Sequence, residues 1–217
     1  AFNQDISKWN VSQGTDMSYM FYNAKSFNRP INTNTVTRNN GTTYTAWNVS
    51  SVTHMSFMFG GAVLFNQPIG SWDVSNVKNM EDMFFHAKAF NQPIGNWNVS
   101  NVSDMQGMFY EAKSFNQPIL TYVEWDGNIF WDVTNVRNME SMFFAAESFN
   151  QDISNWNVTN VSDYQDIFRN CNINPRFKPS FRERNNFLPG HNTYIPQNML
   201  KSNNNTQNML RSNNNTC

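Results

Sequence analysis

The chain has 217 residues and a formal net charge of -1; 39% of its residues are hydrophobic, 15% aromatic and only 14% charged. The small net charge argues against a generic nucleic-acid-binding protein, which carries a basic excess. No apolar run approaches the roughly 18 residues of a membrane-spanning helix, so we expect no membrane span.

A repeat of 25 residues runs through the first 170 residues. The motif Phe-Asn-Gln, written once as Phe-Asn-Arg, begins six units. The units begin at Phe2, Phe27, Phe65, Phe90, Phe115 and Phe149. Each unit continues with Trp-x-Val and then Met-x-x-Met-Phe, which decays in the sixth unit to Tyr164, Ile167 and Phe168. Because neither half of a unit can bury its apolar face alone, the units must stack.

The apolar spacing within a unit predicts a strand followed by a helix. In the fourth unit, Trp97 and Val99 are two residues apart, as in a strand, whereas Met105, Met108 and Ala112 lie on one face of a helix. The Asn after each first Phe is predicted to end that helix in the left-handed conformation; ligand binding by these residues is the less favoured alternative.

The predicted fold class is an α/β repeat solenoid, with short parallel strands on one face and short helices on the other. Residues 1–170 form the six repeats, and residues 171–217 form an extended, basic, Asn-rich C-terminal arm. The spacing from Ile94 to Val102 follows that of a leucine-rich repeat.

The repeat resembles the BspA-like leucine-rich repeats, most closely in the fourth unit, which reads FNQPIGNWNVSNVSDMQGMFYEAKSF. That family occurs in surface lipoproteins of bacteria and mycoplasmas, in protists and in large DNA viruses of protists. The resemblance covers residues 2 to about 170 and implies a right-handed solenoid with parallel strands on one face. It also implies surface or interaction modules without enzyme activity.

Two insertions enter the repeat at the same point, immediately before the tryptophan of the second and fifth units. They contain Asn40-Gly41 and Asp126-Gly127, which predict β-hairpins with type I′ turns at about 32–46 and 120–130. Their large side chains either fold back on the repeats or form a platform for a partner, and both interpretations stay open. These candidate partner-binding residues are Val36, Tyr44, Tyr122, Trp125 and Phe130.

A polar residue stands between Trp and Val in every unit and is predicted to point away from the core. Stacking would place these residues about 4.8 Å apart, as a ladder of amides that holds the units in register. The alternative is a carbohydrate or calcium surface. The residues are Asn10, Asn48, Asp73, Asn98, Asp132 and Asn157.

No residue constellation predicts catalysis. His54, His86 and His191 fall in unrelated contexts, and neither His54 nor His86 has a Ser or Cys nucleophile beside it. Cys171 and Cys217 do not have the spacing of zinc ligands. We therefore expect no enzyme activity, no catalytic residue, no cofactor and no metal site. The chain opens at Ala1 without a signal peptide, so we expect a mature, trimmed or incomplete chain.

The charge is divided unevenly along the chain. Residues 169–217 contain seven basic residues and one acidic residue, a net charge of +6, whereas the remaining 8 basic and 15 acidic residues give -7. Basic and aromatic residues alternate at the start of this arm, which predicts docking on an acidic protein surface. Single-stranded nucleic acid is the less favoured partner. The predicted contact residues are Arg176, Phe177, Lys178, Phe181, Arg182, Arg184, Phe187 and Tyr194.

These features predict a non-enzymatic structural or protein-interaction scaffold. In the favoured setting it is a minor component of a large assembly, such as the capsid of a large DNA virus, and contacts other proteins of that assembly through its arm and hairpins. In the alternative setting it is a cell-surface or extracellular adhesion module that recognises a protein or a glycan.

Overall fold

The structure is a computed structural model, and its description covers residues 2–182. The regular elements are β1 (Asn34–Thr37), β2 (Thr43–Ala46), β3 (Tyr122–Val123), β4 (Ile129–Phe130) and a 3₁₀ helix (Pro175–Phe177). β1 pairs antiparallel with β2, and β3 pairs antiparallel with β4. The rest of the described chain consists of turns, extended stretches and isolated bridges.

The predicted α/β repeat solenoid is wrong. Residues 2–182 contain no α-helix, and their only strands belong to the two small antiparallel sheets of the insertions. The expected parallel strands are reduced to isolated parallel bridges between successive units. The bridged residues are Asp16, His54, Asn79, Asp104, Asn138 and Asp163.

Residues with positive φ explain why no helix follows these bridges. In the third unit Asp82 has φ 52° and His86 has φ 54°, and an L-residue in this left-handed region interrupts a right-handed helix. The Met83 N–H donates to the Met80 carbonyl at 3.2 Å, which closes a turn around Asp82. Consecutive turns of this kind bury the same sequence positions that one face of an α-helix would bury. The spacing of the apolar residues therefore does not distinguish these turns from a helix.

The turns leave every second backbone N–H free to donate to the next unit. In the third unit the N–H groups of Asp82 and Phe84 donate to the carbonyls of Gln106 and Met108, at 2.8 and 2.9 Å. Four such bonds, two residues apart, join each unit to the one after it, and all run from the earlier unit to the later one. We call each set of four bonds a stacking row; five rows join the six units.

Stacked aromatic rings fill the space between the rows. Two columns of phenylalanines run along the core, with ring centroids 5.5–5.7 Å and 5.6–5.9 Å apart, and they contact each other at 4.0–4.2 Å. The buried indole N–H groups donate to the isoleucine carbonyl of the preceding unit at 2.7–3.3 Å, so these polar atoms are satisfied. The indoles belong to Trp47, Trp72, Trp97, Trp131 and Trp156.

An asparagine ladder links the units on another side. Each unit begins with a Phe that is followed by an asparagine. The Oδ1 atom of this asparagine accepts a hydrogen bond from the backbone N–H of the equivalent residue in the next unit, at 2.7–3.1 Å. None of these residues has positive φ, so the predicted helix-ending role is wrong. The ladder consists of Asn3, Asn28, Asn66, Asn91, Asn116, Asn150 and Asn174.

The polar residues that stand between Trp and Val in each unit do not form a ladder between units. Each of its side chains accepts the backbone N–H two residues later at 3.0–3.3 Å, as Asn98 does from Ser100. This local Asx turn fixes the corner of its own unit.

The bonded stack continues past residue 170. The Asn174 N–H donates to Asn150 Oδ1 at 2.7 Å, and the Ile153 N–H donates to the Phe177 carbonyl at 3.0 Å. Residues 172–177, which the sequence assigns to the arm, therefore bond to the sixth unit.

Backbone strain at one alanine can be tested directly. Ala145 has φ 51°, whereas the second unit has Gly61 at this position. Ala145→Gly should raise the free energy of unfolding by about 1 kcal/mol, because glycine adopts positive φ without a Cβ clash. Chemical denaturation measures the change. Ala146→Gly is the matched control: this buried neighbour lacks positive φ, so its substitution should destabilise the protein by about 1 kcal/mol. Destabilisation by both changes would contradict the strain argument.

The asparagine ladder predicts how much stability the protein loses when Asn91 is replaced by different residues. Asn91 Oδ1 accepts the Asn116 N–H at 2.9 Å and Gln117 Nε2 at 3.0 Å. Asn91→Ala removes both bonds and should lower the free energy of unfolding by about 2 kcal/mol. Asn91→Asp keeps an acceptor for both donors and should lose less. The control is Asn101→Ala, which removes a single exposed bond to Ser75; an equal loss there would refute a special role for the ladder.

Candidate protein-interaction surface

The two insertions fold as the predicted hairpins but with a different turn. In the first, the Arg38 carbonyl accepts the Gly41 N–H at 2.9 Å, and the Arg38 N–H donates to the Thr42 carbonyl at 2.8 Å. Gly41 and Gly127 have φ 81° and 88°, whereas Asn40 and Asp126 lack positive φ. Each loop is therefore a three-residue turn that ends in a left-handed glycine rather than a type I′ turn.

The first hairpin folds back on the first unit. The Tyr44 hydroxyl donates to the Lys8 carbonyl at 2.5 Å, and Asn34 Nδ2 donates to the Ser7 carbonyl at 3.3 Å. The Arg38 guanidinium lies 4.7 Å from the centroid of the Tyr44 ring. Val36 and Tyr44 are partly buried against the core, so the structure favours the folding-back interpretation for this hairpin.

The second hairpin exposes its apolar side chains. Trp125 at its tip is 98% exposed, the highest value among the large apolar residues of the described chain. Leu120, Val123 and Ile129 are 42%, 63% and 38% exposed. We call these four residues the second-hairpin surface. Exposed apolar side chains concentrated in one short segment are typical of interaction sites, and tryptophan is a common anchor of protein interfaces.

A rigid base supports this surface. The rings of Tyr122 and Phe130 stack at 5.0 Å across the hairpin, and both are half-buried. The Thr121 hydroxyl donates to the Trp131 carbonyl at 2.6 Å and ties the hairpin to the buried core. Tyr122 and Phe130 therefore hold the hairpin, while Trp125 remains available to a partner.

A cleft lies beside the second hairpin. It has a volume of about 440 Å³ and is lined by Gly70, Pro93, Gly95, Asn96, Pro118, Leu120 and Tyr122. A Cβ on Gly70 or Gly95 would come within 2.6 or 2.7 Å of a proline carbonyl oxygen, so only glycine allows the backbone to pack this closely here. A smaller cleft of about 280 Å³ reaches Asn128 and Phe130 on the hairpin. The second hairpin therefore contributes side chains to two concave surfaces.

The charged residues of the second hairpin are all acidic. Its residues 120–130 include Glu124 and Asp126 and no basic residue, and Asp132 follows immediately. These carboxylates flank the apolar second-hairpin surface, so a partner with a basic rim around an apolar patch is complementary to it.

Three half-buried carboxyl groups, none of them on the second hairpin, have raised pKa values. Burial raises the pKa of Asp104, against the backbone hydrogen bond from Gln106. Burial and then the charge of Asp104 raise the pKa of Glu81, and burial raises the pKa of Glu140. Their ionisation at neutral pH therefore opposes folding.

Residues 2–182 show no group of three or more His, Cys, Asp and Glu side chains that could hold a metal. His54 Nδ1 is hydrogen-bonded to the Thr53 hydroxyl at 2.9 Å. His86 packs beside the rings of Phe85 and Tyr110, and burial lowers its pKa although Glu111 opposes the shift.

None of the helical segments in this part of the chain has the length and apolarity to cross a membrane.

The first residues of the predicted arm cover the end of the sixth unit. Lys178 Nζ lies 5.2 Å from the centroid of the Phe168 ring, and the Phe181 ring stacks on Tyr164 at 4.6 Å. The Arg182 carbonyl accepts the Tyr164 hydroxyl at 2.6 Å.

The remaining predicted arm residues divide between the described chain and the part beyond it. Phe177 packs against the core, and Arg176 is exposed. Arg184, Phe187 and Tyr194, with the rest of the predicted arm after residue 182, lie outside the described residues.

Sequence reasoning identified Trp125 but missed its neighbours Leu120, Val123 and Ile129. Their apolar character is visible in the sequence LTYVEWDGNIF, but a hairpin this short does not reveal which of its faces packs against the repeats. The cleft was also missed, because its prolines belong to the repeated Asn-Gln-Pro-Ile motif and carry no signal of their own.

The repeated units, their stacking rows and the displayed hairpin define a repeat protein with a surface suited to binding. Residues 1–45, 33–129 and 123–185 match the family described as "Mycoplasma protein of unknown function, DUF285", and the chain belongs to this family. The match agrees with the resemblance to BspA-like proteins. No curated protein and no solved structure gives a match to the chain.

The half-buried Asp104 carboxyl in the fourth unit predicts a pH-dependent effect on stability. Its raised pKa means that the folded state favours the protonated form, so the cost of ionisation is present at neutral pH and disappears as the pH falls through the folded-state pKa. Asp104→Asn should stabilise the protein at pH 7 by about 0.5 kcal/mol after allowance for solvent screening. The advantage should shrink towards pH 4, as denaturation at both pH values will show. Asp126→Asn in the exposed loop is the control, and a similar gain there would contradict the role of burial.

Proposed function

We propose that this chain is a non-enzymatic scaffold that holds another protein on its second hairpin. The observation that carries the proposal is the 98% exposure of Trp125, at the tip of a hairpin whose residues Leu120 and Tyr122 line a cleft of about 440 Å³. Burying an indole of this size is among the largest contributions that a single side chain makes to binding. The stack below the hairpin supplies a fixed platform, so little conformational entropy is lost on binding.

The partner is a protein with an apolar pocket for the indole and basic residues around it. Leu120, Val123 and Ile129 extend the apolar contact, while Glu124 and Asp126 face the basic rim. Membership of the DUF285 family supports a surface protein related to the BspA-like repeats. Cell-surface adhesion to a protein or glycan and a place in the capsid of a large DNA virus are the two settings for such a scaffold.

Cross-linking from the hairpin tests the proposal. A photoreactive amino acid is placed at position 125 in one sample and at position 64 in another, because Leu64 is also exposed, at 54%, but lies outside the hairpin. In the native source we expect one protein to be captured from position 125 and not from position 64. The same captured proteins from both positions would contradict a specific site.

The captured partner then allows a quantitative test. Trp125→Ser should weaken its binding at least tenfold, since an interface tryptophan commonly contributes more than about 1.4 kcal/mol. The stability of the scaffold should not change, because the indole makes almost no contact with it. Leu64→Ser should leave the affinity unchanged. An unaltered affinity for Trp125→Ser would end the proposal.

A further inference from the structure

A polar cleft of about 280 Å³ is lined by the second hairpin together with the third and fourth units. Its lining includes Asp73 and Asn98, which stand between Trp and Val in those two units. Asn96 of the fourth unit and Asn128 and Phe130 of the hairpin also line it. None of the four residues of the second-hairpin surface does so. The cleft is therefore separate from the surface around the exposed tryptophan.

The polar side chains from the two units are held in place by their own turns. Asp73 Oδ1 accepts the Ser75 N–H at 3.1 Å and the Ser75 hydroxyl at 2.6 Å. Asn98 Oδ1 accepts the N–H and the hydroxyl of Ser100 at 3.1 and 2.7 Å. Each side chain thus spends one polar atom on a local turn, and its other polar atom is left for a ligand.

The two remaining amides of the cleft are fixed in a similar way. Asn96 Nδ2 donates to the Gly70 carbonyl at 2.9 Å, which links the fourth unit to the third. Asn128 Nδ2 donates to Asp126 Oδ2 at 2.8 Å within the hairpin. All four polar side chains are therefore ordered before a ligand arrives, so little conformational entropy is lost on binding.

The second polar atom of each side chain makes no hydrogen bond within residues 2–182. Asp73 Oδ2, Asn96 Oδ1 and Asn128 Oδ1 are acceptors, whereas Asn98 Nδ2 is a donor. The cleft therefore offers a ligand both acceptors and a donor in fixed positions.

The charge of the cleft argues against an ionic ligand. Asp73 carries the one charge among the described lining residues, and none of these residues is basic. A single carboxylate falls far short of the about six to eight oxygen ligands that calcium takes. An anion would meet this carboxylate with no lining cation to balance it. A neutral ligand whose groups both donate and accept hydrogen bonds is complementary, and a hydroxyl group does both.

We propose that this cleft binds a neutral monosaccharide, the terminal unit of a glycan. Hydroxyls of the sugar ring donate to Asp73 and Asn128 and accept from Asn98, while the half-buried Phe130 supplies an apolar contact for the C–H groups of the ring. The volume lies just below the about 300–1,000 Å³ of pockets for drug-sized ligands, which suits a single ring. The carbohydrate surface that the sequence left open at six positions thus narrows to two, in the third and fourth units.

Saturation-transfer NMR of the full chain with the methyl glycosides of glucose, galactose, mannose and N-acetylglucosamine tests the proposal. We expect at least one glycoside to receive magnetisation from the protein, with a dissociation constant in the millimolar range, because a few neutral contacts hold it. The absence of transfer to all of these glycosides would overturn the proposal. Equal binding of N-acetyl-tetra-alanine amide would also overturn it, because the cleft would then be a peptide site.

Substitutions in the cleft locate the bound sugar. Asn98→Ala and Asn128→Ala should each weaken binding about fivefold, the loss of one hydrogen bond. Asn157→Ala is the matched control and should leave binding unchanged, because Asn157 makes the same turn with Thr159 but does not line the cleft. An unaltered affinity for Asn98→Ala, or an equal loss for Asn157→Ala, would overturn the proposal. Thermal unfolding of each variant confirms that it is folded.

The sugar site does not rest on the protein partner proposed for the second hairpin. Trp125→Ser should leave glycoside binding unchanged, since Trp125 does not line this cleft. A loss of glycoside binding in this variant would place the sugar on the exposed indole and overturn the assignment to the cleft.

Discussion

The structure depends on where the backbone N–H groups after each bridge find their acceptors. Left-handed residues such as Asp82 and His86 turn every second N–H away from its own unit and towards the next. A helix would satisfy these groups locally, whereas the turns satisfy them only when a neighbouring unit is present. Each unit is therefore stable as part of the stack.

The asparagine-rich composition follows from the same dependence on neighbours. An amide side chain carries both donor and acceptor atoms, so one residue type serves the Asn91–Asn116 ladder and the local turn at Asn98. These bonds need no countercharge, unlike ion pairs in a closely spaced column, where like charges would repel. Only three ion pairs occur in residues 2–182, and 14% charged residues are enough for this surface.

The sequence reveals the repeat, the two hairpins and most of the core, because these depend on spacing and on turn residues such as Gly41 and Gly127. It conceals the turns after each bridge. Their left-handed positions include Tyr19, Phe57 and Glu111, residue types that rarely adopt positive φ, and the stacking rows force that conformation on them. At the candidate site, the position of Trp125 at the tip of a hairpin could be predicted from the sequence. The hydrogen bond from the Tyr44 hydroxyl to the Lys8 carbonyl could not, because the two residues are 36 positions apart.

Both insertions enter where a change of length leaves the stacking rows intact. In a regular unit the Trp72 N–H donates to the Ile69 carbonyl, but after an insertion the Trp131 N–H donates to the Trp97 carbonyl of the preceding unit, also at 3.1 Å. Thr33 and Thr121 then close the bases of the two hairpins on the following tryptophan carbonyls. The chain length between isoleucine and tryptophan can therefore vary without loss of a buried hydrogen bond. The stack supplies the stability, and the hairpins are free to supply the binding surface.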